Sequence, residues 1–148
     1  MAYVDIHDQP GPHRDFFEIE AVGSATATGD YTIWHAPFAC KIRDVLIIFD
    51  EDVTGVDGST FILQVWNRGD DGTGTDTLDI PTALENGFVT GVDADAFEAY
   101  AIYDPDTFDP VPDLVEACVG TVLSIRRTRV GAGMDMPRLE GFVEYEGN

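Results

Sequence analysis

The sequence predicts an all-β protein, a single-domain β-sandwich or jelly roll of about eight short strands with long acidic loops. Short segments alternate apolar and polar residues, which is the pattern of a strand with one buried face. Glycine, proline and aspartate separate these segments, and almost no segment has the spacing of an amphipathic helix. With 148 residues, 44% of them apolar, the chain is long enough for one domain with a substantial core.

The predicted elements follow one another with turn residues between them. Residues 1–15 hold little apolar material, so we expect an extended N-terminal arm, followed by a sandwich domain over residues 16–148. Residues 97–103 fit a strand or a short helix, and residues 114–119 fit one helical turn. Residues 104–113 contain three prolines and must form a loop. Strands are predicted at residues 17–21, 31–35, 41–49, 60–66, 78–80, 88–90, 120–130 and 138–145.

The charge of the chain is strongly negative, with 28 acidic residues against 8 basic ones and a net charge of −20. Such a field repels phosphate backbones, so we expect no direct contact with nucleic acid. The charge fits either simple solubility or attraction to a basic surface or to divalent cations. No apolar run reaches the length of a membrane span, and the N-terminus does not resemble a secretory signal. We therefore expect synthesis in a cytoplasm and no membrane partner.

Catalytic groupings are not evident, and we expect that the protein is not an enzyme. Two of the three histidines, His7 and His13, lie in the predicted arm, and His35 ends a predicted strand. Paired carboxylates are a glycosidase feature, but with this many acids such pairs arise by chance. Cys40 and Cys118 lack zinc-site spacing. We expect two buried free thiols, with a disulfide between them as the alternative.

One loop is a candidate cation site. Asp70, Asp71 and Asp76 lie in GDDGTGTDTL, part of which matches the calcium-binding nonapeptide pattern. A single copy of that pattern does not make a stacked array. The alternatives are therefore a weak Ca²⁺ site and a solvated turn, and no other cofactor is expected.

The most informative stretch is residues 45–49, VLIIF, which is apolar on both faces of a strand. If one face packs in the core, Leu46 and Ile48 need another cover, and Ile62 and Trp66 add apolar surface on the next strand. Surplus apolar faces indicate a contact with another subunit, or a covering loop or arm. The residues predicted to build the core are Val45, Ile47, Phe49, Phe61, Leu63 and Val65.

Three of the eight basic residues lie close together in one predicted strand. Alternation places Arg127 and Arg129 on one face and Arg126 on the other. They fit either a charged strand end paired with local acids or a contact with a neighbouring subunit, where the guanidinium fork can bind carboxylates. Both alternatives stay open, and the three arginines join Leu46, Ile48, Ile62 and Trp66 as candidates for an interface with another subunit or protein.

The order of these pieces resembles small phage virion proteins of the head decoration (capsid cement) type. The similar segments are APFACKIRDVLIIFDEDVTGVDGSTFILQVWNRG, VGTVLSIRRTRV and RLEGFVEYE, and the similarity covers roughly residues 31–66 and 118–146. The resemblance implies a β-sandwich or jelly roll, often trimeric, that binds the major capsid protein on the outer surface of the virion shell. A tail, baseplate or fibre component is an alternative. A carbohydrate-binding sandwich, using Trp34, Trp66, Tyr100 or Tyr103, is another.

Overall fold

The computed structural model describes residues 12–53, 59–77, 88–89, 102–103 and 115–147. Within these residues there are ten β-strands and no helix. In particular, no helix in the described part of the chain has the length and apolar character needed to cross a bilayer. The strands are β1 (Pro12–Ile19), β2 (Thr28–His35), β3 (Cys40–Phe49), β4 (Ser59–Asn67), β5 (Asp76–Thr77), β6 (Phe88–Val89), β7 (Ile102–Tyr103), β8 (Val115–Ala117), β9 (Val122–Gly131) and β10 (Leu139–Gly147).

The strands form two antiparallel sheets, which confirms the predicted all-β class. In the first sheet the order is β1–β10–β3, and the far edge of β3 pairs with both β7 and β8. In the second sheet the order is β2–β9–β4, and the far edge of β4 pairs with both β5 and β6. The steps β1 to β2, β2 to β3, β3 to β4 and β9 to β10 all pass from one sheet to the other.

A single apolar core contains residues from both sheets, as expected of a β-sandwich. Along β4 and the second half of β3 its members alternate with residues that point outward. All six residues predicted to build the core from β3 and β4 are buried in it: Val45, Ile47, Phe49, Phe61, Leu63 and Val65. The period-two pattern of the sequence thus identifies the inward face of both strands.

The connection between β1 and β2 interlocks with the connection between β9 and β10 at one end of the sandwich. Val22 and Met136 exchange two backbone hydrogen bonds of 2.9 and 2.8 Å. The Ser24 amide donates to Asp135 Oδ1 at 2.7 Å. These bonds hold the two connections together, so this end of the sandwich is closed by backbone pairing.

The structure differs from the sequence prediction at several elements. β1 begins at Pro12, so residues 12–15 of the predicted arm belong to the first sheet, while residues 1–11 lie outside the described residues. The predicted helical turn at residues 114–119 is wrong where it is described, because β8 pairs there with residues Cys40–Ile42 of β3. The predicted strand at 78–80, the loop at 104–113 and residues 97–101 lie outside the described residues.

The two cysteines also differ from each other. Both are free thiols. Cys40 is buried in the core as predicted, whereas Cys118, predicted to be buried, is exposed. Cys118 directly follows β8, on the turn that leads to β9, and this position leaves its thiol at the surface beside the Thr121 hydroxyl, 3.3 Å away.

Candidate interaction surfaces

The four apolar residues predicted to face a neighbour do point away from the core, but they lie on opposite sides of the molecule. Leu46 and Ile48 are partly buried on the outer face of the first sheet. Ile62 and Trp66 are partly buried on the outer face of the second sheet. They therefore belong to two separate surfaces, and no single contact can use all four.

On the outer face of the first sheet, Leu46 lies beside two aromatic side chains. The sequence did not reveal this arrangement. Phe16 on β1, Phe142 on β10 and Leu46 on β3 are direct neighbours in the register of the three strands. The rings of Phe16 and Phe142 meet edge to face at 5.7 Å. Phe142 is only 7% exposed although it points outward, whereas Phe16 is 79% exposed. We call Phe16, Leu46, Ile48 and Phe142 the first-sheet patch.

Ion pairs surround the first-sheet patch. Arg14 donates to Glu144 at 2.8 Å, and its guanidinium lies 4.6 Å from the Phe142 ring centroid. Arg138 pairs with Glu18, and this bond raises the pKa of the arginine. The border thus carries both signs of charge, in contrast to the strongly negative chain as a whole. Mixed charge around an apolar centre is a common composition of protein interfaces.

On the second sheet, Trp66 lies within a cluster of charged side chains. The guanidinium carbons of Arg68 and Arg126 lie 4.6 and 4.4 Å from its ring centroid. Asp30 pairs with Arg68 at 2.7 Å and with Arg126 at 3.6 Å. We call Asp30, Trp66, Arg68 and Arg126 the Arg–Trp cluster. Arginine and tryptophan are the residues most enriched at energetically important positions of interfaces.

The tryptophans do not provide the platform that a carbohydrate-binding sandwich would use. The guanidinium groups of Arg68 and Arg126 occupy ring surface of Trp66 on which a sugar would stack. Trp34 is 4% exposed and belongs to the core. Tyr100 lies outside the described residues, and of Tyr103 only the backbone is described.

Arg127, predicted to contact a neighbouring subunit, is instead buried inside the chain with an exposure of 0%. Its two terminal nitrogens donate to the backbone oxygens of Thr26 at 2.8 Å and Met134 at 2.7 Å. Its guanidinium also lies 5.3 Å from the ring centroid of Phe61. Desolvation lowers the pKa of Arg127 from its usual value. Its side chain therefore holds together the two interlocking connections and presents no surface to a partner.

The other two arginines of β9 lie at the surface. Arg126 is partly buried in the Arg–Trp cluster, whereas Arg129 is exposed and donates to the backbone oxygen of Ala25 at 3.1 Å. The predicted alternation of the arginines is therefore right. The face of β9 that carries Arg127, however, is the one that points into the core. The spacing of Leu123, Ile125 and Arg127 is the signal that could have placed Arg127 inward.

A set of hydrogen-bonded polar side chains also lies between the two sheets, centred on Asp15. The Trp34 indole nitrogen donates to Asp15 Oδ2 at 2.8 Å, and the Tyr145 hydroxyl donates to the same oxygen at 3.0 Å. The rings of Trp34 and Tyr145 lie 5.0 Å apart. Burial, and to a lesser degree Asp15, raise the pKa of the Cys40 thiol. A reactive cysteine needs a lowered pKa, so this arrangement ties the sheets together and does not activate the thiol.

The candidate calcium loop forms a turn beside the Arg–Trp cluster. The Asp71 carboxylate accepts the Thr73 amide at 2.9 Å, and this bond lowers the pKa of Asp71. Asp70 and Asp71 line a shallow cleft of about 640 Å³ together with Asp30 and Arg68. The side chain of Asp76 is not described. Among the described residues, no group of three potential metal ligands comes together.

No protein-family model matches the sequence, and no curated protein matches it. Among solved structures, the chain is similar to one in the "Cyanophage Pam1 capsid asymmetric unit", with a TM-score of 0.53 and 15% identity, over 100% of this chain and 93% of that chain. A chain in the "Structure of infectious bursal disease virus Gx strain" matches with a TM-score of 0.42 and 13% identity, over 100% of this chain and 37% of that one. At 15% identity the similarity to the Pam1 chain concerns the fold alone.

Proposed function

We propose that this protein is a decoration (cement) protein of a phage capsid, which binds the assembled shell as a homotrimer. The observation that carries the proposal is the similarity to a chain of the Pam1 capsid asymmetric unit. It spans the whole chain, and the neighbour is scarcely longer. A domain of this size and fold, with little added to it, is thus present as a separate chain in a phage capsid. The proposed role requires binding rather than catalysis.

The strand order supports the proposal. The chain passes to the opposite sheet after β1, β2, β3 and β9, and the orders β1–β10–β3 and β2–β9–β4 fit a jelly roll built from two Greek keys. Jelly rolls recur among viral capsid domains. Because its net charge is −20, the protein would not adhere to packaged or free DNA. This property suits a position on the outer surface of the shell.

We propose the Arg–Trp cluster as the surface that contacts the major capsid protein. The guanidinium groups of Arg68 and Arg126 both lie against the Trp66 ring, and β4 is paired along its length with β9, so little side-chain freedom remains to be lost on binding. Its arginines are among the few bases of an acidic chain, which makes this face suited to carboxylates of the partner.

The mechanism of stabilisation is thermodynamic linkage. A protein that binds the assembled shell but not its dissociated subunits shifts the equilibrium toward the shell. At a free concentration 100 times the dissociation constant, this contributes about 2.7 kcal/mol per occupied site. The required features are a rigid fold and a complementary surface.

The experiment is a binding and melting assay with shells assembled from the major capsid protein alone. Added protein should co-sediment with the shells and raise their melting temperature. Arg126→Ser should weaken binding by about tenfold or more, as expected for an interface residue of this type. Arg43→Ser is the matched control, since Arg43 is a surface arginine in ion pairs with Glu144 and Glu146 on the first sheet, and its binding should stay unchanged. Shells that neither bind the protein nor melt higher would contradict the proposal.

A further inference from the structure

The edge of the first sheet is open along β1. β1 pairs with β10 over its whole length, from Pro12↔Glu146 to Ile19↔Leu139. Among the residues that the structure describes, no strand pairs with the other side of β1. Half of the backbone N–H and C=O groups of such an edge point away from the sheet and can pair with another strand.

The two sheet edges on this side of the molecule differ in regularity. β2, the corresponding edge of the second sheet, has a register shift between Thr32 and Trp34. Such an irregularity disturbs the ladder and protects an edge from further pairing. β1 has an unbroken register with β10 over eight residues. Of the two edges, β1 is therefore the one that can accept another strand.

The outward side chains of β1 form a self-complementary pattern. They are Arg14, Phe16 and Glu18, in the order positive, aromatic, negative. If two copies of β1 pair in antiparallel fashion about a twofold axis at Phe16, Arg14 of each copy lies opposite Glu18 of the other. The two Phe16 rings then lie opposite each other. Aromatic pairs and opposite charges are both favourable when directly opposite across strands.

The charges and exposures of these residues allow the contact. Phe16 is 79% exposed, and its ring meets the Phe142 ring edge to face. The side chains of Arg14 and Glu18 are 57% and 61% exposed despite their ion pairs within the chain, so both can reach a second copy. Two chains of net charge −20 repel each other, and a contact with equal numbers of each sign does not add to that repulsion.

We propose that two copies of this chain join through β1, as an antiparallel strand pair with its twofold axis at Phe16. The first sheets of the two copies then form one continuous sheet, and the exposed Phe16 is buried at its centre. The contact is isologous, since the same residues serve both copies. It does not rest on the proposed capsid function, and a threefold assembly would use other surfaces.

Cysteine cross-linking of the full chain tests both the contact and its register. The background carries Cys118→Ser, because Cys118 is exposed, and retains Cys40, which is buried. In this background Phe16→Cys should form a disulfide-linked dimer rapidly under mild oxidation. The two Cβ atoms would lie about 4.5–5.5 Å apart, which a disulfide can span after small adjustments. Thermal melts should match the parent, since Phe16 is a surface side chain.

A second cross-linking experiment tests the register of the two β1 strands. A mixture of Arg14→Cys protein with tagged Glu18→Cys protein should give mainly the mixed dimer. Each variant alone should cross-link poorly, because like positions are offset by four residues, about 13 Å along the strands.

Glu140→Cys is the control, since the Glu140 side chain is 52% exposed on the same face but lies on the interior strand β10. If Phe16→Cys cross-links no faster than this control, or the mixture gives no excess of mixed dimer, the proposal is overturned. Unmutated protein whose mass in sedimentation is that of the monomer at all concentrations, or is unchanged when Phe16 is replaced by Asp, would overturn it as well.

Discussion

Replacing Arg127 tests whether this buried cation stabilises the fold through the two carbonyls it binds. Arg127→Met keeps an apolar stem of similar length but leaves the backbone oxygens of Thr26 and Met134 without their donor. Hydrogen bonds to a charged group contribute about 1.5–3 kcal/mol each. The gain from no longer burying a charge offsets part of this, so we expect a net loss of about 2–3 kcal/mol. Arg127→Lys should lose at least as much, because one ammonium stays buried and cannot replace the fork.

Urea unfolding at neutral pH measures this loss, and a melting temperature lower by about 4–12 °C should accompany it. Arg126→Met is the matched control on the outward face of the same strand, where partly exposed ion pairs contribute about 0–1 kcal/mol. The oligomeric mass of the Arg127→Met protein in solution should equal that of the unmutated one, because Arg127 presents no surface to a partner. Arg127→Met protein as stable as the unmutated chain, or more stable, would show that the buried cation is a net cost and refute the reasoning.

Three further predictions concern proton binding, packing and cations. Burial and the bond to Asp15 raise the pKa of Tyr145 above its usual 10.0, so stability should fall as the pH rises above that value, by up to about 1.4 kcal/mol per pH unit. Tyr145→Phe should flatten this alkaline loss in urea titrations, and an unchanged slope would count against it. Gly141→Ala should cost about 1–3 kcal/mol, because the new Cβ would collide with the Leu46 carbonyl oxygen, while Gly23→Ala, with open space around it, should be nearly neutral; equal effects would contradict the packing. Millimolar calcium or a chelator should leave the melting temperature unchanged, and a rise with calcium would restore the Asp70–Asp71 loop as a cation site.

The inward faces of β3 and β4 follow from the sequence because alternation has a period of two and the buried residues are aliphatic or aromatic. Which sheet each strand joins does not follow, since it depends on pairing between residues far apart in the chain. The sequence predicts that Leu46 and Trp66 lie on outward faces. It does not show that these two faces lie on opposite sides of the molecule. The assignment of the four apolar residues to a subunit or capsid contact stays a prediction.

Pairing across the chain also explains what the sequence missed. Residues 115–117 have no strong alternation, and they form a strand because the edge of β3 at Cys40 accepts them. The first predicted strand begins at Phe17 and omits Phe16, although the pair Phe16–Phe17 in a strand must put one ring on each face. Because buried arginines are rare, the sequence predicts a surface position for Arg127, and only the carbonyls of two distant connections make its burial possible.

The two outer faces now suggest different uses. The first sheet offers an open edge with a self-complementary pattern, and the second offers a rigid cluster of arginine and tryptophan. A component that both associates with itself and attaches to a shell needs two such surfaces. Variants of the two surfaces should therefore have separate effects. Substitution of Arg126 should weaken shell binding, and substitution of Phe16 should weaken self-association.

The proposed role is tested most directly by cryo-electron microscopy of the virion that contains this chain. We expect density for a two-sheet domain on the outer surface of the head shell, with the face carrying Trp66 and Arg126 against the major capsid protein. Density for the chain in the tail alone, or a head shell that carries none, would contradict the assignment.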